Sequence, residues 1–518
     1  MTTAGVHRAR LSVEQATPGR TTCTFLAPQQ SADEVSATGC LEDADEAAIA
    51  DYRADLEVVS EVASPPESVL AAHREQRRLA AEALVRIGLP PAINEQLARL
   101  RRQAAGQPLL LEFCTTTAGL ELLPWELLGS RELGPPDDPD LVVWRCVTRE
   151  SYQPWPENRI MLAAAAPPEQ RISPNVDGEF DDILTLLDQS GRGDVRHRKI
   201  MHSSNPLFTA TLVASKPNLL HMAMHGDATR LFFEREDPRD RDLVNREPAS
   251  EVFSRERIIA YDYLAGVIAD VGTVRTAILS ICFSASGHEA STSFARTLVA
   301  EGVPSAIGMN GKITPTASRQ FCRDLYRGIC RGEPIADCYA AAIIGLRRMS
   351  SSDECLWSVP MLHGSDNVIP LPTDDHRRFL SGVEQAVTSV EELRRNLSRL
   401  STQVGSRPEN WRVDSTLTAM GLGKAQRGLR FLGDNMTPHR ADSYVWRLQF
   451  DLGRTDVEGK ISLVQAAMSE ISEASGPTAF SRASRRFRAD AERLLRALDN
   501  IHGLVLEEFP VRAPAAAR

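Results

Sequence analysis

The sequence contains few aromatic residues and no long apolar run. Aromatic residues make up 6% of the 518 positions, and no apolar stretch approaches the roughly 18 residues that a membrane-spanning helix requires. The first residues, MTTAGVHRARLSVEQ, lack the continuous apolar segment of a secretory signal peptide. A composition of 42% hydrophobic and 25% charged residues is that of a folded globular protein, and it excludes collagen-like, disulfide-scaffold and wholly disordered chains.

Cysteine is sparse and its number is odd. Nine cysteines are scattered along a chain without a recognisable secretion signal. This pattern predicts reduced thiols and a cytoplasmic protein. It also raises the question of whether one of the nine thiols is a nucleophile.

The chain has no excess of basic charge. Its 59 Lys and Arg residues against 69 Asp and Glu residues give a net charge of −10, which does not favour binding to nucleic acid or to an anionic membrane. The charge is unevenly spread, because residues 371–518 contain 22 basic and 19 acidic side chains while the preceding residues carry a net −13. The stretch GSDNVIPLPTDD at 364–375 separates these parts and predicts a domain boundary.

The middle of the chain alternates short apolar runs with stretches of helical periodicity. Such alternation predicts an α/β fold with a mostly parallel sheet that helices cover on both faces. The apolar runs lie at 109–113, 141–146, 160–166, 219–224, 277–282, 305–309 and 359–362, with helical stretches at 178–188, 293–301 and 316–331. Before residue 60, two short strands around Pro18-Gly19 predict a β-hairpin, and after residue 375 the apolar spacing predicts a helical bundle.

Two predicted strands end in residues that carry chemistry. The run 219–224 leads directly into His225-Gly226, and the run that begins at 277 ends in Cys282. If the two strands are parallel neighbours, both ends emerge at the same rim of the sheet. An imidazole can then take the proton of the thiol to give the nucleophilic thiolate, and the amides of Gly226 and Cys282 can stabilise an oxyanion. A buried cysteine and a core histidine at strand ends fit the same pattern.

Further segments make the sequence resemble a known family. They are LLPWELL at 122–128, SFARTLVAEGVPSAI at 293–307, the helix pair around 321–337, and LWSVPMLHG at 356–364. These segments resemble, in the same order, those of the CHAT family of caspase-like cysteine peptidases, which are relatives of caspases, metacaspases and separases. The resemblance covers residues 60–364.

The resemblance implies a caspase-like fold and assigns roles to individual residues. It implies that His225 is the general base, that Cys282 is the nucleophile and that no metal or other cofactor takes part. The resulting domain division is an N-terminal hairpin and acidic segment at 1–60, the two halves of the CHAT domain at 61–155 and 156–368, and an all-α domain at 375–510. The function implied is regulated cleavage of a specific protein, in a bacterial antiviral or programmed-death system, with the helical domain as docking site for an activating partner.

The chain departs from the family pattern around the substrate pocket. Ile281 stands where the family commonly has Ala, and Ser280 stands where metacaspases have an Asp that binds basic side chains. Asp227 and Glu289 are alternative acidic groups, and with Ser280 and Ser284 they are the expected substrate contacts. The sequence therefore leaves the preferred cleavage site open. Two other functions also stay open, namely a catalytically silent scaffold of the same fold and a Cys-His acyltransferase.

Two other signals do not support a cofactor site. Cys322, Cys330 and Cys338 recur at steps of eight residues with His363 further on, but zinc sites use closer pairs, so buried thiols are expected. The glycine-rich segment GMNGKIT at 308–314 lacks the spacing of a phosphate-binding loop.

Overall fold

The fold is known from a computed structural model. It describes residues 7–27, 35–61, 66–104, 107–129, 140–146, 157–165, 176–226, 229–234, 258–281, 293–349, 355–365, 368–403, 408–435, 443–475 and 477–508. Cys282, Ser284, Glu289 and Asp227 lie outside these described residues.

The described residues form thirteen strands and fourteen α-helices. The strands are β1 (His7–Thr17), β2 (Arg20–Leu26), β3 (Val35–Cys40), β4 (Leu109–Cys114), β5 (Leu141–Arg145), β6 (Asn158–Ala165), β7 (Val195–Ile200), β8 (Leu219–Met224), β9 (Arg230–Phe232), β10 (Ile258–Ala260), β11 (Thr276–Ser280), β12 (Ser305–Met309) and β13 (Pro360–Gly364). The helices are α1 (Asp43–Glu61), α2 (Glu67–Gly88), α3 (Pro91–Ala104), α4 (Ala118–Glu121), α5 (Val176–Gln189), α6 (Asn205–Ser215), α7 (Tyr261–Val271), α8 (Phe294–Ala300), α9 (Pro315–Arg331), α10 (Ile335–Arg347), α11 (Asp374–Gln403), α12 (Pro408–Asn435), α13 (Ser443–Glu473) and α14 (Pro477–Glu508). Short 3₁₀ segments cover Trp125–Gly129 and Cys355–Ser358.

Eleven of these strands form one large sheet. Its order is β3-β2-β1-β4-β5-β13-β12-β11-β8-β6-β7, and β9 and β10 pair separately as a small hairpin. β12, β11, β8, β6 and β7 are parallel to one another, as are β1, β4, β5 and β13. The two parallel blocks run in opposite directions because β13 is antiparallel to β12. All seven apolar runs form strands of this sheet, so the predicted α/β class with a mostly parallel, helix-flanked sheet is confirmed.

Two features of the sheet are not indicated by an apolar run in the sequence. β7 has the sequence VRHRKI and lies at the sheet edge, where most of its side chains reach solvent. At the other side, β1 and β2 form the predicted hairpin, and β1 also pairs in parallel with β4 from His7↔Leu109 onwards. The N-terminal hairpin is thus a direct extension of the main sheet. None of the helices among the described residues is both long and apolar enough to cross a membrane.

The C-terminal helices have a core of their own. α11 packs against α12 and α14, and α13 packs against α14. The apolar stripe of the first of these helices includes Val383, Val390, Leu393 and Leu397, which join one buried cluster with residues of the other three. The predicted helical bundle is therefore present.

A buried ion pair joins the LLPWELL segment to the sheet. The Arg145 guanidinium donates to the Glu126 carboxylate at 2.9 and 2.8 Å, and both side chains are about 95% buried. Arg145 also donates to the backbone carbonyls of Glu121 and Leu123, while its own position in β5 is paired with His363 of β13. Burial opposes the charged guanidinium, but the Glu126 charge outweighs it and raises the pKa of Arg145. The Arg145 side chain therefore connects the LLPWELL segment to the paired strands β5 and β13.

Removing the Arg145 guanidinium should destabilise the protein, because it leaves the Glu126 carboxylate buried without a cation. We expect Arg145→Met to lower the free energy of unfolding by about 3–5 kcal/mol, since Glu126 loses its partner inside the core. Equilibrium denaturation measures this. The control Arg78→Met breaks exposed pairs with Glu75 and Glu82 and should cost less than about 1 kcal/mol. Equal effects of the two substitutions would contradict the role assigned to Arg145.

Candidate functional site

The two strands that carry the predicted dyad are neighbours. β8 and β11 pair in parallel, with register partners from Leu219↔Thr276 to Ala223↔Ser280. The expectation that these strand ends emerge at the same rim is confirmed. Throughout the pairing the partner lies 57 positions further along the chain.

His225 and Gly226 follow β8 and are held by the small hairpin. The backbone N–H of Phe232 donates to the His225 carbonyl at 3.1 Å, and Gly226 forms an isolated antiparallel bridge with Leu231. The Phe232 amide donates the hydrogen bond to His225, and the Gly226 amide takes no part in it. The His225 side chain is half-buried at this rim.

Gly226 is required here by close packing. A Cβ atom at this position would lie 2.7 Å from Cγ2 of Ile281 and 3.1 Å from the Arg230 carbonyl oxygen. Both distances are shorter than an ordinary carbon contact. Ile281 directly precedes Cys282 in the sequence, and Gly226 directly follows His225. The side chain of Ile281, next to the predicted nucleophile, therefore packs on the backbone of Gly226, next to the predicted base.

Beneath these strand ends lies a buried carboxylate. Glu179 of α5 is 5% exposed, and one of its oxygens, Oε1, faces Nε2 of His221 at 2.8 Å. The same oxygen accepts a hydrogen bond from Ser280 at 2.9 Å, and Oε2 accepts one from Ser318 at 2.9 Å. The Cys322 thiol donates weakly to Oε1 at 3.5 Å. Every oxygen of this carboxylate thus has a donor.

The histidine of this group is held from both sides. His221 is fully buried in β8, and its Nδ1 lies 3.1 Å from the hydroxyl of Tyr326, whose ring stacks on the imidazole. Because Nε2 faces a carboxylate, the imidazole donates from Nε2 to Glu179, and its Nδ1 shares a hydrogen bond with the Tyr326 hydroxyl. We call the group Glu179, His221, Ser280, Ser318, Cys322 and Tyr326 the Glu179 cluster. It connects β8 and β11 to α5 and α9.

The cluster keeps Glu179 charged and Cys322 neutral. Burial disfavours the carboxylate, but the hydrogen bonds from His221, Ser318 and Ser280, with the His221 charge, outweigh burial and lower the pKa of Glu179. Burial and the Glu179 charge raise the pKa of the Cys322 thiol well above its ordinary value. Cys322 is therefore a protonated hydrogen-bond donor. It lacks the thiolate character of a nucleophile.

The structure describes three of the predicted site residues. His225 and Gly226 lie at the rim as expected, and Ser280, a predicted substrate contact, has its hydroxyl bonded to Glu179. The roles assigned to these residues remain predictions. The sequence reasoning missed Glu179 and His221, although each carried a signal. Glu179 interrupts the apolar stripe of α5, and His221 stands in the middle of the apolar strand LLHMAM.

Two groups of side chains have the chemistry of metal ligands. Within the described part of the chain, ligand atoms of Glu179, His221 and Cys322 lie within 4.8 Å of one another, and so do those of Glu112, Cys114 and Cys146. The hydrogen bonds of the Glu179 cluster account for the first group, since its carboxylate and imidazole are already satisfied by protein partners. Cys322, Cys330 and Cys338 are buried thiols, as predicted.

Comparison with known proteins identifies the family. A model of the CHAT domain matches residues 78–446. The chain belongs to the CHAT domain family. In this CHAT protein the matched region starts within α2, includes β4 to β13, and continues through α11 and α12 beyond the 364–375 stretch. None of the curated proteins compared with the chain matches it significantly.

Solved structures similar to this CHAT protein include bacterial cysteine proteinases. One is the Arg-specific cysteine proteinase gingipain R, with 8% identity, a TM-score of 0.36, and coverage of 54% of this chain and 68% of that one. Another is the complex of the RgpB pro- and mature domains from Porphyromonas gingivalis, with 9% identity, a TM-score of 0.36, and coverage of 54% and 70%. Both likenesses are distant.

The Glu179 carboxylate should stabilise the protein in a pH-dependent way. We expect Glu179→Gln to lower the free energy of unfolding at pH 7 by about 1–3 kcal/mol, because the amide carries no charge and accepts fewer hydrogen bonds. The folded-state pKa lies below the ordinary value of 4.5, so this contribution is complete above about pH 5 and is lost as the pH falls through the folded-state value. Denaturation of both proteins from pH 7 to pH 3 measures it.

The matched control for this substitution is Glu95→Gln. The Glu95 side chain is 74% exposed and lies 3.9 Å from Arg99, so its removal should change stability by less than about 0.5 kcal/mol. A Glu179→Gln effect no larger than this, or one that grows as the pH falls, would disagree with a charged buried carboxylate.

The packing of Ile281 on Gly226 can be tested with a double-mutant cycle. Gly226→Ala should destabilise the protein by about 1–3 kcal/mol, because the new methyl group overlaps Cγ2 of Ile281. Ile281→Ala removes that atom, so the cost of Gly226→Ala should be at least about 0.5 kcal/mol smaller in the Ile281→Ala background. Gly266→Ala, in open space on α7, should be neutral or stabilising. Strict additivity of the first two substitutions would rule out the contact.

Proposed function

We propose that this CHAT protein is a cysteine endopeptidase with Cys282 as nucleophile and His225 as general base. The observation that carries the proposal is the pairing of β8 with β11. Their partners differ by 57 positions, which is also the separation of His225 and Cys282, so the same register continued by two residues pairs these two positions. The contact between Ile281 and Gly226 supports this continuation, because it joins the neighbours of both residues.

In the proposed reaction the imidazole and the thiol act as a dyad. His225 takes the Cys282 proton, and the thiolate attacks the carbonyl carbon of a peptide bond. The amides of Gly226 and Cys282 donate hydrogen bonds to the oxyanion of the tetrahedral intermediate. The imidazolium then returns its proton to the leaving amine, which yields a thioester that water hydrolyses with His225 again as the base.

The Glu179 cluster lies on the face of the sheet that this dyad is proposed to occupy. Side chains at alternate positions of a strand share a face, so the two strands continued by one or two residues would put His225 on the face of His221 and Cys282 on that of Ser280. Glu179 bonds to both His221 and Ser280 and is therefore on the dyad's side of the sheet.

The substrate of this enzyme is proposed to be a specific protein. Asp227, Ser284 and Glu289, which follow the dyad residues in the sequence, are the proposed contacts together with Ser280. Two acidic groups among these four contacts favour a positively charged side chain at the cleaved position. Cytoplasmic location is part of the proposal and rests on the odd number of scattered cysteines. A role in bacterial antiviral defence or programmed death is also part of it and rests on the CHAT family alone.

Activation by a partner protein is the last part of the proposal. A cleft of about 1140 Å³ lies between α11 and α12 in the helical region, and its lining includes Arg377, Arg378, Lys424 and Arg427 against two acidic residues, Asp374 and Glu392. A basic cleft of this kind suits an acidic segment of a partner. A protein with an exposed acidic segment is the candidate activator.

The dyad is tested by substitution and a covalent probe. A peptide library and a thiol-reactive peptide probe should be cleaved or bound by the wild-type protein, with and without the candidate activators. We expect Cys282→Ala to abolish probe labelling and cleavage, and His225→Ala to reduce cleavage by at least about 100-fold, because the general base is lost. Labelling is read by mass spectrometry and cleavage by peptide sequencing.

The control variant is Cys40→Ala, which removes an exposed thiol on β3 at the far side of the sheet order. It should leave cleavage unchanged. Cleavage that persists in Cys282→Ala would refute the assigned nucleophile. A wild-type protein that binds an activator but never reacts with the probe would instead favour a catalytically silent scaffold.

A further inference from the structure

A second pair of chemically active side chains lies in the other block of the sheet. β4 and β5 are parallel neighbours, with register partners from Leu109↔Leu141 to Phe113↔Arg145. The next pair in this register is Cys114 and Cys146, and the amide of Cys146 donates to the Phe113 carbonyl at 2.9 Å. Register partners on parallel strands point to the same face, with Cα atoms about 4.8 Å apart. That spacing falls within the range of roughly 4.4–6.8 Å seen in disulfides.

The two sulfur atoms are close and within reach of solvent. They lie within 4.8 Å of each other, and both side chains are partly exposed, unlike the buried Cys322, Cys330 and Cys338. The hydrogen bond between the two thiols, burial and the Glu112 charge raise the pKa of Cys146. The Arg10 guanidinium interacts electrostatically with both sulfur atoms.

Arg10 also decides against a metal ion at this place. It holds Glu112, the third possible ligand, through two hydrogen bonds of 2.9 and 3.0 Å. The carboxylate is thereby neutralised by a fixed cation, and that cation would repel a divalent metal. Two adjacent thiols beside a guanidinium are suited to oxidation.

We propose that Cys114 and Cys146 are a redox-active pair that forms a reversible disulfide with a low-molecular-weight disulfide as oxidant. The Cys114 thiolate attacks one sulfur of the oxidant, which forms a mixed disulfide and releases one thiol. Cys146 loses its proton to solvent and attacks the Cys114 sulfur, which forms the Cys114–Cys146 bond and releases the second thiol. Two protein thiols are oxidised, and one oxidant molecule is reduced to two thiols.

The cross-link would enclose the LLPWELL segment in a closed loop. It closes the chain between β4 and β5 around the LLPWELL segment, with Glu126 and its partner Arg145 inside the loop. Closing such a loop restricts the unfolded chain, so the oxidised protein should unfold at a higher temperature.

The test uses oxidised glutathione on the folded, full-length Cys282→Ala protein, so that the proposed nucleophile does not react. We expect a loss of two thiols, a 114–146 cross-linked peptide in the non-reduced digest, an upward shift in melting temperature of roughly 2–4 °C, and full reversal by dithiothreitol. In Cys146→Ser the second step is blocked, so Cys114 should retain one glutathione. Cys40→Ser should leave the cross-link unchanged.

Specific outcomes would overturn the proposal. One is stable glutathione on Cys114 with Cys146 intact and no cross-link. Another is cross-linking that occurs in urea but not in the folded protein, which would show that the native strands do not bring the sulfur atoms together. Circular dichroism confirms that each serine variant is folded. The result does not depend on peptidase activity, because the nucleophile is absent throughout.

Discussion

A buried carboxylate that must remain charged organises the candidate site. Taking Glu179 out of water is unfavourable, and the structure offsets this by directing His221, Ser280 and Ser318 at its two oxygens. These donors come from β8, β11 and α9, while the carboxylate comes from α5. Satisfying one charge therefore brings two neighbouring strands and two covering helices into a defined arrangement, and both strands lead directly into the proposed dyad.

The other block of the sheet is held together by the same principle. Arg145 and Glu126 compensate each other inside the core, and Arg145 also satisfies backbone carbonyls of the segment that carries Glu126. The family's LLPWELL segment is thus a structural element that docks on β5 next to β13. β13 is the last strand of this block, and because it is antiparallel to β12 the two oppositely directed blocks of strands meet between β13 and β12. The proposed dyad follows two strands of one block, and the Cys114–Cys146 pair lies at the ends of two strands of the other block.

The sequence predicts those parts of the fold whose stability is local. Each continuous apolar run becomes a buried strand, because a strand covered on both faces needs apolar side chains at every position. β7 escapes prediction because an edge strand exposes its side chains and can be as basic as VRHRKI. The pairing of β1 with β4 also escapes prediction, since about a hundred residues separate the partners and no local pattern records which edge a hairpin joins. His225 and Gly226 were found because they follow an apolar strand, whereas Glu179 looked like one more charge on an amphipathic helix.

By itself, the sequence determined the fold class, the membership of the CHAT family and the two strand ends that carry His225 and Cys282. The fold class follows from periodicity and the strand ends from residues adjacent in the chain, whereas family membership follows from the ordered segments that resemble the family and from the match to its domain model. The tertiary structure decided which strands are neighbours, that Ile281 packs on Gly226, and that Glu179 reaches Ser280 from a helix about a hundred residues earlier. The physical reason is that burying a charge or a side chain depends on every element packed around it, and that surrounding exists only after the chain has folded.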